Sequence, residues 1–328
     1  MARLGPFLAL LLFAPLRGYA DTPGFVFVIQ DELGTALIHA AQGDPPVGRV
    51  IAAPSGAVCA DQPADLPRLA LVTGTPRPLD LDACRQKSTS DVLAITIGYQ
   101  AIALVAPANA RAFSLPAIAL FHAVGAHADA RIAPKLWRDV DPSLPALPLG
   151  LLAPADATAT SRLLNTYVME PACSADDGAR VPFEATRRIA FCGTLRADPA
   201  IVQRKGDDQE ITAWAASAPA GQLAVLTLAE LRRFDRVVVP LPLDGVLPTA
   251  ANITSGAYPA AEPTTLLIVM PHDLSPARRD ATRRAVFELL SERNVGPDGN
   301  LARAGLMPLS PTERVAARLQ AVAFVDHP

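Results

Sequence analysis

Aromatic side chains are scarce, at 5% of the 328 residues. A core must therefore be built from Leu, Val, Ile and Ala, which the 50% apolar content supplies. Histidine is equally rare: the five stand at 39, 122, 127, 272 and 327. None forms the H-E-x-x-H pair that a zinc hydrolase needs, and there is no C-x-x-C. G-x-S-x-G and the phosphate-cradling P-loop are also missing. No nucleophile–base pair can be named, so the chain is not expected to be an enzyme or to need a metal or cofactor. Basic charge is not in excess, with 29 Lys and Arg against 32 Asp and Glu, which argues against a nucleic-acid surface. Beyond residue 20 no stretch approaches the 18 uninterrupted apolar residues of a membrane span.

The first twenty residues read as an export signal. Arg3 is a short positive region, Phe7 to Leu16 an apolar run, and Gly18-Tyr19-Ala20 a small-x-small cleavage site before Asp21. The expectation is an exported chain without stable membrane insertion, beginning at Asp21. Losing Arg3 and Arg17 leaves 27 basic and 32 acidic side chains, a balance of −5.

Four cysteines, Cys59, Cys84, Cys173 and Cys192, are an even number in an exported chain and suggest disulfides. Three pairings are open. Cys59 with Cys84 and Cys173 with Cys192 closes the shortest loops.

Strand-like runs alternate with helix-length segments, which predicts an α/β fold with parallel pairing. The runs are 24–29, 49–53, 69–72, 95–99 with 101–105, 147–152, 224–226, 236–240 and 265–270. Helices are expected at 33–41, at 114–125 and after Ser275-Pro276, where Ser caps and Pro takes the first position. Pro154-Ala-Asp156-Ala-Thr158-Ala-Thr160-Ser161-Arg162 precedes apolar residues at 163, 164, 167 and 168, one face of a helix. Small hydroxylated residues with an Asp mark a helix start. With exposed N–H groups and a nearby Arg they also suit an anion, although an ordinary capped helix uses the same residues.

Several passages together resemble the PstS-type phosphate-binding proteins that serve ABC importers. Leu243-Asp-Gly-Val-Leu-Pro-Thr249 and Ile253-Thr-Ser-Gly-Ala-Tyr-Pro259 look like that family's "D-G-V-x-P-T … S-G-x-Y-P" passage. Ile97-Gly-Tyr-Gln-Ala-Ile-Ala-Leu-Val105 is similar to its crossover strand. Lys135-Leu-Trp-Arg-Asp-Val-Asp-Pro-Ser-Leu-Pro145 is similar to its "W-x-D-x-x-P-x-L-P" segment, and Gly305-Leu-Met-Pro-Leu309 to its late turn. Some members carry a cysteine pair where Cys59 and Cys84 stand. The resemblance implies a two-lobed periplasmic-binding-protein type 2 fold, each lobe a mixed sheet flanked by helices, hinged by two crossover segments. Lobe one would be 21–106 with 241–328, and lobe two 107–240.

It also implies a periplasmic monomer with phosphate or another small oxyanion as ligand, held between the lobes at helix N-termini, and an ABC permease as partner. The family's "D-G-S-G-T" loop falls on Asp156–Thr160, so Thr158, Thr160, Ser161 and Arg162 are candidate ligand residues. Ser55 and Gly56 match a second helix-start loop, and Thr75 and Arg77 an "S-R-P" passage. The anion site is eroded relative to that pattern. Both loop glycines are Ala, the usual Arg positions hold Pro154 and Ser161, Asp31-Glu32 replaces a hydroxyl loop, and Glu262 stands where Arg is common. These departures motivate a second expectation, an exported scaffold of this type that has lost anion transport and acts as an accessory or interaction factor.

Overall fold

The computed structural model describes residues 25–29, 48–52, 66–74, 81, 90–128, 133–206 and 208–327. Ten strands are described: β1 Phe25–Ile29, β2 Gly48–Ala52, β3 Arg68–Thr73, β4 Ser90–Pro107, β5 Gly150–Ala153, β6 Ile201–Gln203, β7 Gln222–Thr227, β8 Val238–Pro240, β9 Ala261–Pro271 and β10 Met307–Pro308. The order is β2-β1-β3-β9-β4-β7-β5-β6, with β8 and β10 also paired to β4. The α-helices are α1 Ala117–Val124, α2 Ala159–Leu164, α3 Glu170–Ala175, α4 Ala185–Gly193, α5 Asp208–Ser217, α6 Leu228–Arg233, α7 Ala250–Thr254, α8 Pro276–Leu289, α9 Glu292–Val295, α10 Asn300–Arg303 and α11 Pro311–Asp326.

The 95–99 and 101–105 runs form one continuous strand, the 18-residue β4. It pairs with β9 through Ala101↔Ala261 and with β7 from Ile102↔Thr227 onward. It therefore belongs to two sheets. The parallel pairing expected from the sequence holds only away from this strand: β1–β2, β1–β3, β5–β7 and β5–β6 are parallel. β4 pairs antiparallel with β7, β8, β9 and β10, because the chain returns along the strand by which it crossed. The result is a mixed sheet in each half.

Both faces of each sheet are covered, which is why the central strands read as near-continuous apolar runs. Leu69 and Leu71 of β3 join one core cluster with Val286, Leu289 and Val325, whereas Ala70 and Val72 join another with Leu267 and Val269. In the second half Leu104, Leu151 and Val225 pack with Phe121 and Leu164. Their neighbours Ala103, Val105 and Leu226 pack with Ile211 and Phe234. A period of two on strands with two cores gives this sorting.

The most family-like motifs turn out to be joints. Asp244 (φ 50°) and Gly245 (φ 81°) occupy left-handed backbone between Leu243 and Val246, whose N–H and C=O groups exchange bonds of 3.0 and 2.9 Å. The Asp244 carboxylate accepts from the Ala117 N–H at 2.9 Å, at the start of α1, and Thr249 caps α7 by accepting from the Asn252 N–H at 3.2 Å. Tyr258, buried, donates its hydroxyl to the Ile102 carbonyl at 2.9 Å, tying the return passage to β4. Trp137 is wholly buried and donates to the Gly221 carbonyl at 2.6 Å.

Cys173 and Cys192 are bonded, joining α3 to α4; Cys59 and Cys84 lie outside the described residues, as do the expected helix at 33–41 and Asp31-Glu32. Among the described residues no helix is long and apolar enough to cross a membrane.

β10 lies across β4 with Met307 opposite Tyr99 and Pro308 opposite Gly98. A Cβ on Gly98 would stand 2.6 Å from Leu306 Cδ2 and 2.7 Å from the Met307 carbonyl oxygen. Gly98→Ala is expected to lower stability by about 1–3 kcal/mol through overpacking. Denaturant unfolding measures this, and an unchanged midpoint would contradict the close approach.

Candidate functional site

The loop before α2 starts from the end of β5. Ala157 sits in left-handed backbone at φ 60°, unusual without glycine. Asp156 is exposed and its Oδ1 accepts from Gln203 Nε2 at 2.8 Å, so this carboxylate is held toward β6. Thr158 is the N-cap of α2: its hydroxyl accepts from the Ser161 N–H at 3.1 Å and donates to the Ala155 carbonyl at 2.8 Å. The Thr158 hydroxyl and the Ser161 N–H are thus spent on the cap. Ala159 and Thr160 hold the first two helical positions, whose N–H groups have no partner within a helix. Thr160 is 9% exposed, and its hydroxyl makes no hydrogen bond among the described residues.

This helix start opens on a cavity of about 280 Å³ walled by Gln100 of β4, Thr158, Thr160, Arg204, Arg233 and Arg303, among others. Two of these arginines meet carboxylates and the third binds neutral oxygens. Arg204 pairs with Glu230, Arg233 with Asp208 at 2.7 Å, and Arg303 binds Asn300 Oδ1 and the Asp298 carbonyl. Burial alone would raise the Glu230 carboxyl. The hydrogen bonds from Arg204 and from the Thr227 N–H outweigh it and hold Glu230 below its usual range.

Arg162 turns toward the other half of the molecule. Its guanidinium binds both oxygens of Glu262 on β9, with Nη1 3.1 Å from Oε2 and Nη2 on Oε1. Tyr167 donates its hydroxyl to the same Oε2 at 2.8 Å. Glu262 is 2% exposed, whereas the Arg162 side chain is 39% exposed. Gly74, at the end of β3, backs this group: a Cβ there would lie 3.6 Å from Glu262 Oε2 and 3.7 Å from the Tyr167 hydroxyl. Tyr167 reaches the same carboxylate as Arg162 although five residues separate them, a spacing that places side chains about 140° apart on a regular helix. A π turn over Asn165–Met169, closed by the Glu170 N–H on the Asn165 carbonyl, shifts the phase between α2 and α3.

Of the residues proposed from sequence, the structure brings Thr158, Thr160, Ser161 and Arg162 to one helix start. Ser55, Gly56, Thr75 and Arg77 lie outside the described residues. Tyr167 was missed, because it read as part of an apolar face. Glu262 was noticed only as a departure. The signal that links them is charge: an Arg and a Glu, each displaced from the family pattern, form one pair. Among the described residues no His, Cys, Asp and Glu group could hold a metal.

Burial raises the Tyr167 phenol well above its ordinary value of 10; the adjacent Glu262 charge and hydrogen bond add to this, and Arg162 opposes it. Tyr258 is raised by burial. A raised acid stabilises the folded state fully below the unfolded pKa of about 10, and that contribution fades as pH climbs toward the folded value. Ultraviolet phenolate absorbance of the folded chain should therefore show Tyr167 and Tyr258 still protonated above pH 10, ionising only with alkaline unfolding. Full titration of all tyrosines near pH 10 without unfolding would contradict the burial of this pair.

No protein-family model matches the chain, and no curated protein matches its sequence. Solved structures do match its fold. One is a possible phosphate binding protein from Planctomyces limnophilus DSM 3776, with TM-score 0.65 and 15% identity, covering 92% of this chain and 98% of that one. PstS from Borrelia burgdorferi matches with TM-score 0.56 and 10% identity, covering 87% and 98%. An ABC-type phosphate transport receptor from Vibrio cholerae matches with TM-score 0.54 and 12% identity, covering 87% and 100%. The chain shares the α/β, two-lobed periplasmic-binding-protein fold of these three structures.

Proposed function

We propose that this chain is the periplasmic substrate-binding component of an ABC importer for phosphate or a related oxyanion, and is not an enzyme. The observation that carries the reading is the start of α2. Unpartnered N–H positions at Ala159 and Thr160 and the Thr160 hydroxyl meet at a cavity whose wall comes from both halves, and Arg162 lies on the same turn. Helix N-termini favour anions through these N–H groups and the helix dipole. The fold neighbours named for phosphate support the ligand class, and the Vibrio cholerae receptor's name supports the transport role.

In this reading the lobes are 21–106 with 241–328, and 107–240, and they close by bending where the two crossings run side by side. β4 changes partner between Ala101 and Ile102, and the return segment bonds to it through the Leu241 N–H on the Leu104 carbonyl at 2.8 Å. Ligand contacts would come from Thr160, Arg162 and the Ala159 and Thr160 N–H groups, with Ser55, Gly56, Thr75 and Arg77 from the first lobe, while Ser161, like Thr158, would act through the cap. Export with cleavage after Ala20 belongs to the same proposal.

Titration calorimetry of ligand-stripped protein with phosphate, sulfate and molybdate tests it. Binding of at least one is expected, weakened by about ten- to a hundredfold in Arg162→Ala, the loss of a charge-assisted contact. Silence across all three from folded protein would overturn the reading.

A further inference from the structure

Gln100 of β4 lines the same cavity as Thr158, Ala159 and Thr160, and it is 8% exposed. Its backbone is spent in the ladder with β9, where it stands directly opposite Glu262. Residues directly opposite in an antiparallel pair project from one face of the sheet. Gln100 therefore shares the face on which Arg162 and Tyr167 meet Glu262. From the facing wall, Thr160 and Leu163, three residues apart on one side of α2, border the cavity too.

The Gln100 carboxamide is idle. Its Nε2 is sealed from solvent and has no hydrogen-bond partner among the described residues. A buried donor left unmet carries its full desolvation cost, and such groups are normally paired. The charged groups on the wall are committed elsewhere. Arg204 and the Thr227 N–H hold Glu230, Arg233 holds Asp208, and Arg303 binds Asn300. An anion in this cavity thus meets neutral donors. A half-turn about the last side-chain bond of Gln100 exchanges its C=O and N–H ends, so an acceptor-rich ligand selects the N–H end.

We propose that Gln100 contacts the ligand and helps set its identity, as a neutral amide that donates an N–H to the bound oxyanion. The inference rests on the oxyanion-receptor reading and adds a specificity residue to that site. A neutral donor needs no proton on the ligand. It receives a fully ionised oxyanion such as sulfate on the same terms as hydrogen phosphate. A carboxylate at this position would favour a ligand O–H and repel proton-free anions.

Titration calorimetry on the ligand-stripped full chain compares phosphate, sulfate and molybdate in the unaltered protein, Gln100→Met and Gln100→Glu, each checked for folding by thermal melting. Gln100→Met keeps the length and removes the donor. It should weaken every oxyanion that binds by about tenfold, the worth of one hydrogen bond to a charged acceptor. Gln100→Glu should weaken sulfate and molybdate at least about tenfold more than phosphate, which alone of the three keeps an O–H at neutral pH. Equal losses for all three in Gln100→Glu overturn the proposal, because a packing fault treats the anions alike. If a variant does not fold, nuclear magnetic resonance on the unaltered chain decides: the Gln100 side-chain amide protons should shift when phosphate is added. Unmoved resonances, or binding within about twofold of the unaltered chain in both variants, overturn the Gln100 contact and leave the oxyanion reading intact. Absence of binding of all three by the unaltered chain overturns both.

Discussion

The strand Ser90–Pro107 carries β9 along its first two-thirds and β7 and β8 along its last third, so two sheets share one backbone. A single ladder cannot let its two ends rotate freely. Relative motion of the halves has to be absorbed where the partner changes, between Ala101 and the Leu104–Leu241 contact. On one side of that point Gly98 is pressed against Leu306 and Met307, which fixes the strand to β10. On the other side Ala103 and Val105 are buried with Ala224 and Leu226. The stretch of β4 between these two supports is therefore short.

Across that cleft the only charge nearly sealed from water at the Arg162 group is Glu262, and the geometry answers it from the opposite half. Arg162 supplies a two-pronged contact and Tyr167 a hydroxyl, and both arrive on the helical run that begins at the Thr158 cap. Such a pair adds little net stability over an apolar contact, because desolvating the carboxylate offsets most of the attraction. Its physical consequence is a preference: the arrangement penalises any state in which Glu262 is left alone.

The fold was far more legible than the site. Alternating apolar runs located nearly every strand, and Ser275-Pro276 marked the start of α8, with Ser275 accepting from the Arg278 N–H. Pairing direction was not legible, since β4 and β9 look like any other buried strand until their register is known. The joints were noticed only through the family resemblance, although their chemistry is local: Asp244-Gly245 occupies left-handed backbone, and Gly98 leaves room for Leu306. The Arg162–Glu262 contact spans 100 residues, and no periodicity encodes it. Tyr167 was hidden by the π turn, which moves a residue counted as apolar face into the cleft.

Ala157 shows which part of the loop before α2 the fold preserves. Left-handed backbone costs an L-residue roughly 1–2 kcal/mol that glycine avoids. The conformation persists because it is held on both sides, by Gln203 on Asp156 and by the Thr158 cap. Backbone geometry is thus kept against the local preference, and the Ala159 and Thr160 N–H groups stay aimed out of the helix start. The Thr158 hydroxyl, by contrast, is consumed within the loop. Any attraction this helix start has for an anion comes from backbone dipoles, which do not distinguish one oxyanion from another.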